Sequence, residues 1–308
     1  MLVFGRVKPL GFGAESTVFP AAIKIKTDPG DAKREYTMQR ACASAYVVPV
    51  EYLEVARAIV MPAATMDLFA FLDSKETIEP GELWRIVRHM SAAVAAVHRQ
   101  CVVHRDVKLE NFMCFDEPCG DWYGESDDDD EEEEPKEPKE PKAAQKAPQK
   151  APEEEPQKAH QKAGPVAVRA ISSTRMVVKL TDFGFATKLE EGTKLTAMNG
   201  TRVGTVPYVA PEIVDFAPYD AKADVWSLGV CVFMVLMKCA PFSVSCGVSG
   251  YESYVRYGTF AKGVQKRWSE RSEGLTETQR AVVTRALTVD QAKRASSRAI
   301  SRAAVRCT

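Results

Sequence analysis

Eight consecutive residues, His104-Arg105-Asp106-Val107-Lys108-Leu109-Glu110-Asn111, carry side chains whose types and spacing suit a particular chemistry. Asp106 is a carboxylate able to orient a hydroxyl or accept its proton, and Lys108 places a cation within reach of the same point. Asn111 offers a hard oxygen of the kind magnesium prefers. Moving a phosphoryl group asks little covalent work of a protein. It needs a positioned hydroxyl, neutralised charge and a held metal, and this loop has one residue for each. Preceded by the apolar pair Val102-Val103, the full string is far more specific than an isolated His-Arg-Asp.

The rest of the chain must position these groups. At 308 residues, 45% hydrophobic, 27% charged and with a net charge of −1, it has an ordinary globular composition with room for two lobes. Acidic residues crowd into 125–155 and arginines into the final stretch, so the balance of charge gives no reason to expect a nucleic-acid partner. The eight cysteines are scattered, with no Cys-x-x-Cys and no zinc spacing, which predicts free thiols in a reducing compartment. The apolar start is broken at once by Gly5, Arg6 and Lys8. That predicts no signal peptide and a cytoplasmic location, with the nucleus as the alternative. The most apolar run, 228–237, is about half the roughly 20 residues a bilayer demands. It predicts a buried helix rather than a membrane span.

Residues 1–26 alternate apolar and polar side chains and are broken by Gly11 and Gly13, which predicts two short strands, a glycine turn and a third strand. Period-two alternation in Ala21-Ala22-Ile23-Lys24 puts Ala22 and Lys24 on one face. Residues 31–45 have helical composition with Asp31 as the expected N-cap, 47–61 read as two strands, and Asp67-Leu68-Phe69 opens a helix. A longer amphipathic helix is expected over 82–99. A strand over 176–180 precedes Thr181-Asp182-Phe183-Gly184, and Ala210-Pro211-Glu212 follows.

Taken together, these motifs resemble those of eukaryotic-type serine/threonine protein kinases. The resemblance implies an α+β, two-lobed fold, with a small β-rich N-lobe over 1–64 and a helical C-lobe over 65–115 and 174–308. It implies transfer of the γ-phosphate of Mg-ATP to Ser or Thr of protein substrates, with ATP and Mg2+ as cofactors. Gly11-Phe12-Gly13-Ala14-Glu15-Ser16-Thr17-Val18 is similar to the family's glycine-rich loop, with Ser16 at the third glycine; Gly11, Gly13 and Val18 would cover the nucleotide. Ala22 would leave room for adenine, Lys24 would hold the phosphates and pair with Glu35, and Met61 would be the gatekeeper before the hinge at Pro62-Ala63-Ala64. Asn111 and Asp182 would hold the metal. Asp106, Lys108 and Lys24 would be the catalytic set, and Lys108 with Thr205 points to Ser or Thr as acceptor. Glu212 and Arg294 would form a buried ion pair, and Asp224 would support the catalytic loop. Phosphorylation is expected at Thr201, or else Thr196, with Arg105 pairing to the phosphate.

Three departures stand out. Only six positions separate Val18 from Lys24, with Pro20 between them, so either the second strand is short or part of it is missing. Gln39 is polar where the family places an apolar residue, which predicts a less secure helix. Residues 116–173 interrupt the strand pair expected at 112–115 and 176–180 with an acidic run at 127–134 and Pro-Lys-Glu units. So few apolar residues cannot offset the entropy of ordering, and the insertion is expected to be disordered. Within the superfamily, Arg34-Glu35-Tyr36, Asp67-Leu68-Phe69, Phe115-Asp116-Glu117-Pro118-Cys119 and Tyr254-Val255-Arg256-Tyr257 look most like the SH3-binding-domain kinases. A pseudokinase, or a scaffold whose acidic insertion meets a basic partner or the stripe Arg298, Arg302, Arg306, are the competing readings. Retention of Lys24, Asp106, Lys108, Asn111 and Asp182 favours the enzyme.

Closing a loop of about 58 residues rather than about four costs only ~2–2.5 kcal/mol, because loop entropy grows with the logarithm of length. Replacing 116–173 by a four-residue turn is therefore expected to preserve or raise the thermal midpoint. A shortened chain that fails to fold would contradict the spacer reading.

Overall fold

The computed structural model describes residues 11–12, 17–18, 20–118, 174–196, 202–242, 255 and 264–307. Residues 118–174 separate from the rest as a unit of their own, of which the two end residues are described. The other unit carries both lobes.

The first described element of the N-lobe is a pairing of β1 (Gly11–Phe12) with β2 (Thr17–Val18), antiparallel with Gly11 opposite Val18. The chain then enters β3 (Ala21–Ile25), which with β4 (Glu51–Leu53) and β5 (Ala58–Pro62) forms a sheet ordered β3-β5-β4. The second strand has two described residues. Pro20 has no N–H to offer a ladder, and its carbonyl instead accepts from Ala63 N at 3.2 Å. The register sets Ala22 opposite Met61 and Lys24 opposite Ile59, so these four share one face of the sheet.

Between β3 and β4 lies α1 (Pro29–Ala41). Its N-cap is Asp28, whose carboxylate accepts from Gly30 N at 2.7 Å, and not Asp31 as the sequence suggested. Pro29 explains the difference: its fixed φ suits the first helical position, which puts the N-cap three residues earlier and leaves Asp31 in the first turn near the positive helix end. The buried residues of α1 are Ala32, Glu35 and Gln39, one face at helical spacing. Two of those three are polar, and buried polar groups must find partners.

β6 (Met66–Asp67) leads into α2 (Leu68–Ser74), capped by Asp67 on Ala70 N at 2.8 Å. The amphipathic α3 (Pro80–Arg99) buries Ile86, Val87, Met90, Ala93, Val94 and Val97 and ends at β7 (Val102–Val103). A 3-10 turn at Leu109–Asn111 follows, then β8 (Phe112–Pro118) and β9 (Thr174–Leu180) in a sheet ordered β6-β8-β9. Both strands run beyond the expected 112–115 and 176–180, and the expected disorder of the insertion concerns residues outside those described. β10 (Thr187–Lys188) pairs antiparallel with β7.

α4 (Pro211–Val214) and α5 (Lys222–Met237) come next, then α6 (Val264–Ser272), α7 (Glu277–Ala286) and α8 (Ser297–Val305). α5 is buried on nearly every side, as its unbroken apolar run implies, and no described helix is long and apolar enough to cross a membrane. Gly229 lets α5 approach α7, since a Cβ there would lie 2.8 Å from that of Ala286. Arg298, Arg302 and Arg306 are exposed along α8 and its C-cap.

Glu212 and Arg294 form the expected buried ion pair, with contacts of 2.6 and 2.9 Å in a bidentate fork. Arg294 is 0% exposed at its side chain, donates also to the carbonyls of Thr288 and Lys222 at 2.8 Å each, and stacks over Trp226. Removing it strands a carboxylate and several carbonyls. Arg294→Met should cost about 3–5 kcal/mol in equilibrium denaturation; a loss below about 1 kcal/mol, the worth of an exposed pair, would contradict this account.

Candidate active site

The loop from His104 to Asn111 is held from beneath by α5. Asp224, in the first turn of that helix, accepts from His104 N at 2.7 Å, Arg105 N at 2.8 Å and His98 Nε2 at 3.0 Å. Burial opposes its charge, but the His98 hydrogen bond and the neighbouring histidines outweigh that and hold its pKa below the ordinary carboxylate range. Both oxygens are spent on the loop, which keeps Arg105 at φ +68. His104 stitches the far side: its Nε2 meets Thr181 O at 3.1 Å and its Nδ1 meets Asp106 N at 3.3 Å. A carbonyl only accepts and a backbone N–H only donates, so the ring is the neutral Nε2–H tautomer. Full burial lowers its pKa despite nearby carboxylates.

Asp106 is thereby fixed among donors. Thr205 Oγ1 donates to Asp106 Oδ1 at 2.6 Å, Lys108 Nζ lies 2.7 Å from Oδ2, and Lys108 also donates to Thr205 Oγ1 at 2.9 Å. The three side chains close a ring. Asn111 Nδ2 donates to the Asp106 carbonyl at 2.8 Å, which orients the amide and leaves its oxygen as the atom available to a cation.

The second half of the site comes from Asp182, which follows β9 at φ +63. Its Oδ1 accepts from Lys24 Nζ at 3.0 Å and from Gly184 N at 3.3 Å, while Phe183 packs edge-on against His104. Lys24 also donates to Glu35 Oε1 at 2.7 Å. Burial works against the Lys24 charge, but the bonds to Glu35 and Asp182 prevail and raise its pKa. For Asp182 burial again opposes charge and Lys24 again prevails, so its pKa is lowered. Each stabilises the other's charged form. The second oxygen of Glu35 meets Lys26 Nζ at 2.6 Å, an ion pair off the direction of a hydrogen bond.

Gln39, expected to leave α1 less secure, is buried and partnered through its amide nitrogen but not through its oxygen. Its Nε2 donates to Val48 O at 2.8 Å and lies 3.4 Å from Thr181 Oγ1, so the polar side chain ties the helix to the segment before β4 and to the residue before Asp182.

The structure thus brings together Lys24, Glu35, Asp106, Lys108, Asn111 and Asp182. Ala22 and Met61 lie on the Lys24 face, and Met61 Sδ is 3.9 Å from Thr181 Oγ1. Gly11 and Val18 face one another across the β1–β2 pairing, and Gly13 lies outside the described residues, as does Thr201. Thr196 is exposed, and Arg105 Nε donates to Phe185 O at 2.6 Å. Sequence reasoning missed Lys26, although its spacing of two from Lys24 was a signal for one shared side. It also missed His98, whose contact with Asp224 joins residues far apart in the chain.

The model of the protein kinase domain matches residues 10–118 and 170–304, and the chain belongs to that family. It is 28% identical over 176 residues to serine/threonine-protein kinase unc-51 of Caenorhabditis elegans, covering 57% of this chain and 14% of that one. With serine/threonine-protein kinase 33 of Mus musculus it shares 24% over 186 residues, covering 60% and 28%. With the human SNF-related serine/threonine-protein kinase it shares 51% over 67 residues, covering 21% and 8%. Each of these relatives is by name a serine/threonine kinase. The chain spans between 14% and 30% of the length of the first curated relatives it matches.

Two buried histidines give this fold a pH dependence. His89 accepts from Val178 N at 3.2 Å, and burial, aided by Arg88 and Arg85, pushes its pKa down to about 3. Like His104 it is neutral when folded but protonates near pH 6.5 when unfolded, so stability is full above about 6.5 and is lost as pH falls below it. Between about pH 7 and pH 5 His89 should cost about 2 kcal/mol in urea denaturation, with a further loss of the same sign from His104, and His89→Gln should remove the His89 share. Equal stability at both pH values would contradict this.

Proposed function

We propose that the protein is an ATP-dependent protein kinase that transfers the γ-phosphate of Mg-ATP to Ser or Thr of protein substrates. The observation that carries this is the ring at Asp106: a threonine hydroxyl already donates to the carboxylate at 2.6 Å with a lysine ammonium on both partners. An acceptor hydroxyl of the same chemistry would be oriented by Asp106, while Lys108 would neutralise charge developing beside it.

The residues fit the nucleotide and metal the family uses. Asn111 and Asp182 present two hard oxygens, the number magnesium commonly takes from protein when phosphates and water complete its shell. Lys24, with its charged form stabilised, suits phosphate oxygens, and small Ala22 beside Met61 leaves the sheet face low where a planar base would lie. Bound Mg-ATP supplies the transferable group with part of its charge already neutralised. Glu35 orients Lys24, Gly184 N orients Asp182, and Asp224 holds the loop that aims Asp106.

The docked α1 and the intact contact of Lys24 with Glu35 support turnover over a binding-only role. A finer placement near the SH3-binding-domain kinases rests on the four sequence segments that resemble them. The described cysteines are all free thiols, which supports a cytoplasmic setting.

Asp106→Asn should lower single-turnover transfer about 10²–10⁴-fold, the usual worth of a positioned base, and leave the Mg-ATP dissociation constant within about twofold. A wild-type rate in that variant would remove the role given to Asp106.

A further inference from the structure

Glu35 is the most confined charge among the described residues of the N-lobe, with a side chain 1% exposed, and it has two lysine partners rather than one. Lys24 takes Oε1 at 2.7 Å and Lys26 takes Oε2 at 2.6 Å. Lys26 stands one residue beyond β3 and two from Lys24, so strand alternation sends both side chains to the same side. Its ammonium also lies over the segment that follows Asp182. A Cβ on Gly184 would sit 3.1 Å from Lys26 Nζ, 3.2 Å from Asp182 Oδ1 and 3.6 Å from Glu35 Oε2. Two cations and two carboxylates therefore share one cluster, and it is neutral.

That arrangement matters because Lys24 has two demands on it. A lysine that is the sole counter-ion of a buried carboxylate cannot leave it without stranding the charge, at a cost of several kcal/mol. Here Lys26 covers the other oxygen, so Lys24 is released from that duty. The two ammonium groups also repel one another across Glu35, which biases Lys24 toward Asp182 and the open side of the cleft. An exposed ion pair would carry little consequence, but the burial of Glu35 makes this one different.

We propose that Lys26 is a positioning residue of the nucleotide site: a second counter-ion that keeps Glu35 and α1 docked while Lys24 turns to the nucleotide. The nucleotide half of this rests on the kinase reading above. The helix half rests on the geometry of the charge cluster alone. Lys26 acts through Glu35, and no contact of its own with substrate is invoked.

The test uses the full chain with Lys26→Met, Lys26→Arg, Lys24→Met and the Lys24→Met/Lys26→Met double variant. Lys26→Gln, uncharged but polar, replaces Lys26→Met if that variant does not fold. Two quantities are read: amide hydrogen-exchange protection over 29–41 without nucleotide, and the dissociation constant for Mg-ATP. Lys26→Met should reduce protection and weaken Mg-ATP binding, each about tenfold, a normal size for coupling between sites, while Lys26→Arg restores both to within about threefold. Lys24→Met should weaken Mg-ATP binding yet keep α1 protected within about twofold, and the double variant should lose that protection. The proposal is overturned if Lys26→Met matches wild type in both readouts, or if Lys24→Met alone unprotects α1 as fully as the double variant. Failure of the wild type to transfer phosphate would overturn the kinase reading instead, and the exchange comparison would still decide the role of Lys26.

Discussion

A carboxylate in the first turn of a buried helix is tolerable only if its charge is fully used, and the site depends on how Asp224 meets that condition. Its two oxygens accept two backbone N–H groups of the catalytic loop and the His98 ring. The positive end of α5 adds to the stabilisation. In exchange the loop is held at Arg105 in a left-handed conformation that a non-glycine residue adopts at some cost. Asp106 is aimed by that bend. The chemistry sits on a loop, but the loop is carried by a helix buried on nearly every side.

The sheet meets this base through a second set of opposed charges. Lys24 on β3 reaches Glu35 on the neighbouring α1 and the sequence-distant Asp182 after β9, so three segments meet at one ammonium. Gln39 lies one turn further along α1, with its amide nitrogen donating to Val48 O and lying near Thr181 Oγ1 while its buried oxygen has no hydrogen-bond partner. A helix whose buried face is polar at two of three positions has little apolar surface to hold it, so its placement relies on these bonds. That makes the position of α1 sensitive to whatever draws on Lys24, and Lys26 offsets the sensitivity.

Much of this was legible in the sequence because the chemistry-bearing residues are local. The stretch from His104 to Asn111, the Asp182 segment and the Lys24 strand each signal their role within a few residues, and their order along the chain implied the two-lobed fold. Period-two alternation placed Ala22 with Lys24, and the apolar run 228–237 was read as the buried helix it forms. The α1 start was misjudged by preferring Asp31 when Pro29 and Asp28 supplied a stronger local signal. Gln39 looked like a defect because its partners, Val48 and Thr181, are set by tertiary contact alone. Lys26 escaped for the same reason: a second lysine near a strand end is ordinary until a buried carboxylate is found beside it.

The central claim is that these converging side chains transfer phosphate rather than merely bind a nucleotide. The direct test is phosphate incorporation from Mg-ATP into a generic Ser/Thr protein substrate, measured for the purified chain and for Asp182→Ala side by side. The account predicts incorporation on serine or threonine by the wild type and a loss of at least about a hundredfold in the variant, since the residue proposed to hold the metal is gone. Equal incorporation by the two proteins, or none by the wild type, would contradict it.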